Sequence, residues 1–209
     1  MKIRAINWTM GDVGHVWLKL KDGECRVDWG DGRTSIMKAP PYQKEIGSEW
    51  LYANHDYHKG YKENEEPFTV CISSEEDNIV GFLAHSGDMM VESVDLSGCQ
   101  ELEYLKASSL IENLDITTNP NIRMMELHGD AAVLADFSNS IGLEELILTI
   151  SNRKSLNISK CIHLKHLDCS EYYSMTKLSV SNKILLETFR YGNSPIEDKY
   201  LCFVKNKEC

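Results

Sequence analysis

Residues 164–170 read Leu-Lys-His-Leu-Asp-Cys-Ser, and variants of this segment recur about every 21 residues through the second part of the chain. The apolar residue that begins it falls at five positions, which lie 20, 21, 21 and 22 residues apart. These five anchors are Leu102, Ile122, Leu143, Leu164 and Leu186. Such a period is typical of repeat proteins, because one short unit cannot bury its apolar side until a neighbouring unit stacks on it.

Four further columns of the repeat are apolar in all five units, at eight and six residues before the anchor and at three and five after it. In that order the columns are Val94, Leu114, Ala135, Leu156, Leu178; Leu96, Ile116, Phe137, Ile158, Val180; Leu105, Met125, Leu146, Leu167, Phe189; and Ala107, Leu127, Leu148, Cys169, Tyr191. In a chain that is 42% apolar, chance would give this pattern with a probability on the order of 10⁻⁹ to 10⁻¹⁰. The sequence therefore predicts a solenoid of five coils, with one parallel strand per coil.

The units share the form L-D-L-S-x-C/N-x-x-L-x-x-L-x-C/A/L, which resembles the leucine-rich repeat family in the short version found in bacterial surface proteins. The asparagine that usually follows the strand is missing, because the positions eight after each anchor are Leu110, Asp130, Ser151, Tyr172 and Ser194. The resemblance implies a sheet on one side and irregular or 3₁₀ segments on the outer side. A hydroxyl column precedes the anchor by five residues: Ser97, Thr117, Ser138, Ser159 and Ser181. We hypothesise that these hydroxyls bond to backbone amides of the adjacent coil.

The first 86 residues suggest short strands joined by turns, and alternating or apolar runs predict strands at 2–7, 16–20, 25–28, 67–73 and 78–83. Trp29-Gly30-Asp31-Gly32, then His55-Asp56-Tyr57, then Phe68-Thr69-Val70-Cys71-Ile72, resemble a PKD-like, immunoglobulin-type β-sandwich. The resemblance implies such a sandwich over 1–86 and a leucine-rich repeat solenoid over 87–209, with a C-terminal cap at about 193–209. The insertion at 37–53 departs from the compact pattern.

Composition restricts the partners and the compartment. The formal net charge is −10 and no basic run occurs, which argues against a nucleic-acid partner. No stretch approaches the roughly 18 consecutive apolar residues of a membrane span. The N-terminus lacks the apolar core of a signal peptide, although similar proteins are often secreted or on the cell surface, so the compartment stays open. The odd number of seven cysteines leaves at least one unpaired within the chain, and we expect those in the repeats to fill the core.

Catalytic and metal-binding motifs are not evident. G-x-S-x-G, G-x-x-x-x-G-K, H-E-x-x-H and C-x-x-C do not occur, so we predict neither catalytic residues nor a cofactor. Calcium needs six to eight oxygen ligands, more than Asp28 and Asp31 can supply. An acidic column seven before the anchors, Asp95, Asp115, Asp136, Asn157 and Ser179, is expected to bond to turn amides instead of a metal. We expect His55 and His58 to be turn and surface residues.

Strand alternation identifies the outward side chains, which lie two, four and six residues after each anchor. They are Tyr104, Lys106, Ser108; Met124, Glu126, His128; Glu145, Ile147, Thr149; His166, Asp168, Ser170; and Thr188, Arg190, Gly192. Three large apolar groups among charges, Tyr104, Met124 and Ile147, indicate a partner surface. The predicted partner-binding residues are Tyr104, Met124, Glu126, Ile147, His166, Asp168 and Arg190. Packing of Tyr104 and Met124 against the N-terminal domain is the alternative.

The sequence thus favours a non-enzymatic interaction module that presents the solenoid sheet to a protein or peptide partner. One alternative is a glycan-binding or calcium-stabilised adhesive protein of the cell surface. A structural spacer without any partner is a third.

Overall fold

The fold of the described residues is mainly β, with one short helix. It was obtained as a computed structural model that describes residues 2–6, 13–41, 49–57, 68–84, 90–107, 111, 113–149, 152–171, 173–184, 186–192 and 195. The strands of the first half are β1 (Lys2–Ile6), β2 (Val13–Leu20), β3 (Glu24–Asp28), β4 (Thr34–Lys38), β5 (Leu51–Asp56), β6 (Phe68–Ser73), β7 (Ile79–Ala84) and β8 (Met90–Asp95). The second half contains β9 (Tyr104–Ala107), β10 (Asn113–Leu114), β11 (Met124–His128), α1 (Asp130–Leu134), β12 (Glu145–Thr149), β13 (Ser155–Ile158), β14 (His166–Asp168), β15 (Lys177–Val180) and β16 (Thr188–Arg190).

The repeats form a β-solenoid of about four turns. Each predicted L-x-x-L-x-L segment contributes a strand, and β9, β11, β12, β14 and β16 pair in parallel in that order. The backbone amide one residue after each anchor continues the stacking outside the strands. Glu144 donates to Arg123, and Lys165 donates in turn to Glu144, both at 2.8 Å from amide nitrogen to carbonyl oxygen. Each of the five predicted coils therefore supplies one stacked strand. Counted from the first of these strands to the last, the solenoid makes about four turns.

The apolar columns form one continuous core. All 25 positions are buried except Val180, Phe189 and Tyr191, which are partly buried. These three belong to the last coil among the described residues, so the described chain supplies a neighbouring coil on one side of them. The same hydrogen bonds recur in the turn before the anchor: in the second unit, the Asn119 amide donates to Ile116 and the Ile122 amide donates to Asn119. A repeated sequence thus produces a repeated backbone.

The side opposite the main sheet is more regular than expected. Instead of irregular or 3₁₀ segments alone, it holds the parallel pairs β8–β10 and β13–β15. The short helix α1 interrupts this side in the third coil, after Gly129 with a φ of 59°. The prediction of irregular or 3₁₀ segments on the outer side is therefore wrong for four of the five coils. In these coils, residues alternate between inward and outward positions around the buried columns, which favours short strands.

The first two residues of the hydroxyl column bond within their own coil and not to the adjacent coil as hypothesised. The Ser97 and Thr117 hydroxyls donate instead to Asp95 and Asp115 of their own coil, each at 2.6 Å from the carboxylate oxygen. A buried asparagine provides a link between coils: the side-chain amide of Asn119 donates to the carbonyls of Leu96 and Cys99 in the preceding coil, at 3.0 and 2.8 Å. Two exposed asparagines make similar links, since the side-chain amide of Asn121 donates to the Gln100 carbonyl at 2.9 Å and that of Asn139 donates to the Thr117 carbonyl at 2.8 Å.

Both main sheets cross the predicted boundary after residue 86. The order of the first is β10-β8-β1-β6-β3-β4, and that of the second is β16-β14-β12-β11-β9-β7-β2-β5. Strand β7 pairs in parallel with β9, so the solenoid sheet continues into the N-terminal strands. In the opposite sheet, β8 pairs with β1. The predicted N-terminal strands are present, but β4 and β5 were missed, and they include the ends of the 37–53 insertion.

The three N-terminal motifs meet around Trp29, which is fully buried. The His55 ring stacks on it at 5.0 Å between centroids, and the Tyr57 hydroxyl donates to the Trp29 carbonyl at 2.9 Å. The F-T-V strand lies against the adjoining turn, because a β-carbon on Gly30 would approach the Thr69 carbonyl oxygen to 2.8 Å. His55 is therefore a buried residue and not the expected surface residue, while His58 lies outside the described residues.

Candidate functional site

The outward side of the eight-stranded sheet, hereafter the sheet face, carries the predicted partner-binding residues. Burial alternates along β11 and β12, so that Met125, Leu127, Leu146 and Leu148 point inward while the residues between them stay half-exposed. Two outward columns result. Tyr104, Met124, Glu145, His166 and Thr188 form the first, and Lys106, Glu126, Ile147, Asp168 and Arg190 form the second. All seven predicted residues therefore share one face.

Four charged members of the two columns form ion pairs with one another. Lys106 contacts Glu126 at 2.5 Å between nitrogen and oxygen, and Arg190 lies 3.5 Å from Asp168. His128 also contacts Glu126, at 3.1 Å. Burial by itself would raise the pKa of Glu126, but the hydrogen bonds from Lys106 and His128 hold that pKa below its ordinary value. Glu126 thus stays ionised and compensated by its neighbours.

A second set of charges alternates along one edge of the sheet face, one residue after each anchor. The column reads Glu103, Arg123, Glu144, Lys165 and Glu187. Glu144 lies at its centre and contacts Arg123 at 2.6 Å and Lys165 at 2.5 Å. Exposed pairs of this kind contribute little stability, about 0–1 kcal/mol each. The acidic and basic side chains of this column therefore neutralise each other along this edge of the sheet face.

The apolar members occupy a short diagonal on the face. Tyr104 and Met124 are neighbours in the first column, and Ile147 lies one coil further in the second column. All three are half-exposed. The ammonium of Lys19 on β2 lies 4.4 Å from the centroid of the Tyr104 ring, so an N-terminal strand contacts the first of them. Tyr104 is thus where the solenoid part of the face meets the N-terminal part.

Beyond Tyr104 the face carries aromatic residues that the sequence analysis did not select. His15, Trp17 and Lys19 point outward from β2, while Val16, Leu18 and Leu20 between them are buried. Trp17 lies opposite Tyr52 of the edge strand β5. The alternation over 15–20 was visible in the sequence. The sequence did not show that β2 lies beside β7 or that β7 lies beside β9, because those pairings join distant parts of the chain.

The acidic residues considered as metal ligands accept hydrogen bonds from their own turns. Asp95, Asp115 and Asp136 each accept the amide two residues further on, at 2.9–3.0 Å, and Asn157 does so at 3.1 Å. Asp28 likewise accepts the Gly30 amide at 3.0 Å. This confirms the expected bonds to turn amides. In the described part of the chain, no three His, Cys, Asp or Glu side chains form a group that could hold a metal ion.

Asp31 is expected to make stability depend on pH. Burial alone would raise its pKa, but hydrogen bonds from His55 and Arg33 hold it below the ordinary value. A lowered folded-state pKa stabilises the fold above the unfolded pKa of about 3.9, and this contribution is lost as pH falls through the folded value. An Asp31→Asn variant should therefore lose less stability than the intact chain as pH falls below about 4.

Urea unfolding at a series of pH values measures this difference. Asp22→Asn, an exposed carboxyl in a neighbouring turn, provides the control and should follow the intact chain. Parallel pH profiles for the intact chain and Asp31→Asn would contradict the role of the Asp31 bonds.

The buried thiols are unsuited to nucleophilic chemistry. Cys161 and Cys169 lie in the solenoid core, and burial raises the pKa of each to about 12. Nucleophilic cysteines need the thiolate form near neutral pH. These two residues pack as small apolar groups, as the sequence predicted.

No helix in the described ranges is long and apolar enough to cross a membrane. Comparisons with protein-family models, curated proteins and solved structures gave no match to this chain.

Proposed function

We propose that this chain is a non-enzymatic interaction module that presents the sheet face to a protein or peptide partner. The observation that carries the proposal is the pattern of charge on that face. Glu126, Asp168 and Arg190 are already paired, whereas Met124 and Ile147 are half-exposed apolar groups between them. Apolar centres with a compensated polar surround are typical of partner surfaces, and repeat solenoids generally bind through the extended surface they build.

We also propose that the repeats are short leucine-rich repeats of the bacterial type, preceded by a PKD-like β-sandwich over 1–86. Support for the first comes from the L-x-x-L-x-L column in every unit. Support for the second comes from the contact of the Trp29, His55 and Tyr57 motifs with one another. Proteins of the kind that this pattern resembles are often secreted or on the cell surface.

A second candidate is a glycan-binding adhesive protein, and the aromatic side chains of β2 and β5 favour it. His15, Trp17 and Tyr52 lie together at the N-terminal end of the sheet face. The calcium-stabilised version has less support, since the repeat aspartates already accept amides of their own turns.

Partner capture with matched surface variants tests the main proposal. The test variant combines Tyr104→Glu, Met124→Glu and Ile147→Glu. The control combines Ile141→Glu, Ile162→Glu and Tyr173→Glu, three exposed apolar residues of the solenoid outside the two columns. Both variants should melt like the intact chain before use.

We expect a partner, identified by mass spectrometry after capture on the immobilised chain, to bind the intact protein and the control. The purified partner should bind the test variant at least about tenfold more weakly, because a charge replaces each apolar contact. Equal binding to test and control variants, or no partner at all, would refute this site.

A further inference from the structure

The N-terminal end of the sheet face bears a cluster of rings, here called the aromatic patch: His15, Trp17, Trp50, Tyr52 and Tyr104. Tyr52 is 44% exposed and the other four are half-exposed. The patch extends over neighbouring strands of one sheet, because β5 pairs with β2, β2 with β7 and β7 with β9. Its rings are therefore fixed on a rigid surface.

The rings contact one another in two groups. Tyr52 lies between Trp17, at 4.5 Å between centroids, and His15, at 5.5 Å. Its hydroxyl forms a hydrogen bond with Nδ1 of His15, at 2.5 Å. In the second group, the Lys19 ammonium lies 5.1 Å from the Trp50 centroid and 4.4 Å from that of Tyr104. Gly81 beneath Lys19 leaves room for its stem, since a β-carbon there would come within 2.8 Å of Lys19 carbons.

The side chains around these rings are polar, apart from the half-exposed Leu83 of β7 beside Trp17. From β2 the outward residues are His15, Trp17 and Lys19, and opposite them on β5 are Tyr52 and Asn54. Each combines a hydrogen-bonding group with a ring, an amide or a long chain. Tyrosine and tryptophan also occur in protein interfaces, but here they lie beside the amide of Asn54, the imidazole of His15 and the ammonium of Lys19, which can exchange hydrogen bonds with hydroxyls. At its border, Lys106 is already neutralised by Glu126.

A sugar ring has the complementary chemistry. Its axial C–H groups form an apolar face that packs on an aromatic ring, while its hydroxyls around the rim exchange hydrogen bonds with amides, imidazoles and ammonium groups. An uncharged sugar also matches a surface whose charges are compensated. Shape, polarity and charge therefore favour the same class of ligand.

We propose that the aromatic patch binds a neutral glycan, with pyranose rings packed on Trp17 and Tyr52 and hydroxyls bonded by Asn54 and His15. This inference rests on the proposed function because it uses the same sheet face. It adds a class of ligand and a second binding centre on that face. The glycan lies at the N-terminal end, whereas the protein-binding centre at Met124 and Ile147 lies further along the solenoid.

Calorimetric titration of the full chain tests the proposal, with soluble oligosaccharides of glucose, xylose, mannose and N-acetylglucosamine as probes and oligogalacturonate as the acidic comparison. At least one neutral probe should bind. Trp17→Ala and Tyr52→Ala should each weaken that binding about tenfold, the loss of one ring contact. Tyr173→Ala removes an exposed tyrosine outside the patch and should bind like the intact chain.

Fluorescence of the tryptophans provides a second signal, because Trp17 and Trp50 lie in the patch. The proposal is overturned if no neutral probe binds, if only the acidic probe binds, or if both patch variants bind as well as Tyr173→Ala. The Met124→Glu, Ile147→Glu double variant should retain the glycan. If the intact chain captures a partner but binds no neutral probe, the glycan site alone is refuted. If the intact chain binds a neutral probe but captures no partner, the protein site alone is refuted.

Discussion

A Phe137→Ala variant is expected to unfold with about 3–5 kcal/mol less free energy than the intact chain. Phe137 is buried in the central coil, in a column where the other units carry leucine, isoleucine or valine. In this coil α1 takes the place of the outer strand. The Arg153 guanidinium lies over the ring, 5.7 Å from its centroid, and donates to the carbonyls of Ala132 and Ala135. Alanine would leave a cavity with rigid walls on several sides.

Urea unfolding followed by circular dichroism measures the loss, and Ile141→Ala in the same unit is the control. Ile141 is half-exposed at 51%, so its truncation should change stability by no more than about 0.5 kcal/mol. One cooperative transition is expected for both variants, because the sheets continue from the N-terminal strands into the solenoid. A loss below about 1 kcal/mol for Phe137→Ala would contradict the continuous core.

The repeat could be predicted because burial imposes the same requirement in every coil. An inward position must be apolar wherever a coil has neighbours, and so the five apolar columns predict the solenoid directly. The turn bonds could not be predicted, since Ser97 can reach its own Asp95 as easily as an adjacent coil. Likewise, the sequence places Asn119 at the same repeat position as Cys99, three residues before the anchor. Its bonds to the preceding coil depend on how the coils stack, which the sequence does not show.

The order of the strands in the sheets is the larger part of the fold that the sequence does not predict. Hydrophobic alternation assigns a side chain to one face of its strand, but it does not say which strand lies beside it. Tyr104 and Trp17 share a face because β7 pairs with both β9 and β2. Two strands were missed as well: β4 has one buried residue, Met37, and β5 has one, His55. Strands at a sheet edge bury few side chains, so their sequences resemble loops.

The pair Gly30 and Gly32 provides a matched test of the N-terminal turn. Both have positive φ, 82° and 87°, where a β-carbon costs about 1–2 kcal/mol. A β-carbon on Gly32 would meet nothing within 4 Å, whereas one on Gly30 would lie 2.8 Å from the Thr69 carbonyl oxygen. Gly32→Ala should therefore lose about 1–2 kcal/mol and Gly30→Ala at least about 3 kcal/mol, because the second substitution adds a backbone clash to the same conformational cost.

The clash at Gly30 has a local consequence that the stability loss alone does not reveal. To relieve it, the turn must move away from the β6 backbone, and Trp29 must move with it. The Trp29 amide bonds to the Arg33 carbonyl at 3.0 Å, and its own carbonyl accepts the Tyr57 hydroxyl, so both contacts would loosen. Gly30→Ala should thus shift tryptophan emission to longer wavelength in the folded state, while Gly32→Ala leaves it unchanged. Equal stability losses and unchanged spectra for both variants would show that the turn does not pack on the F-T-V strand as described.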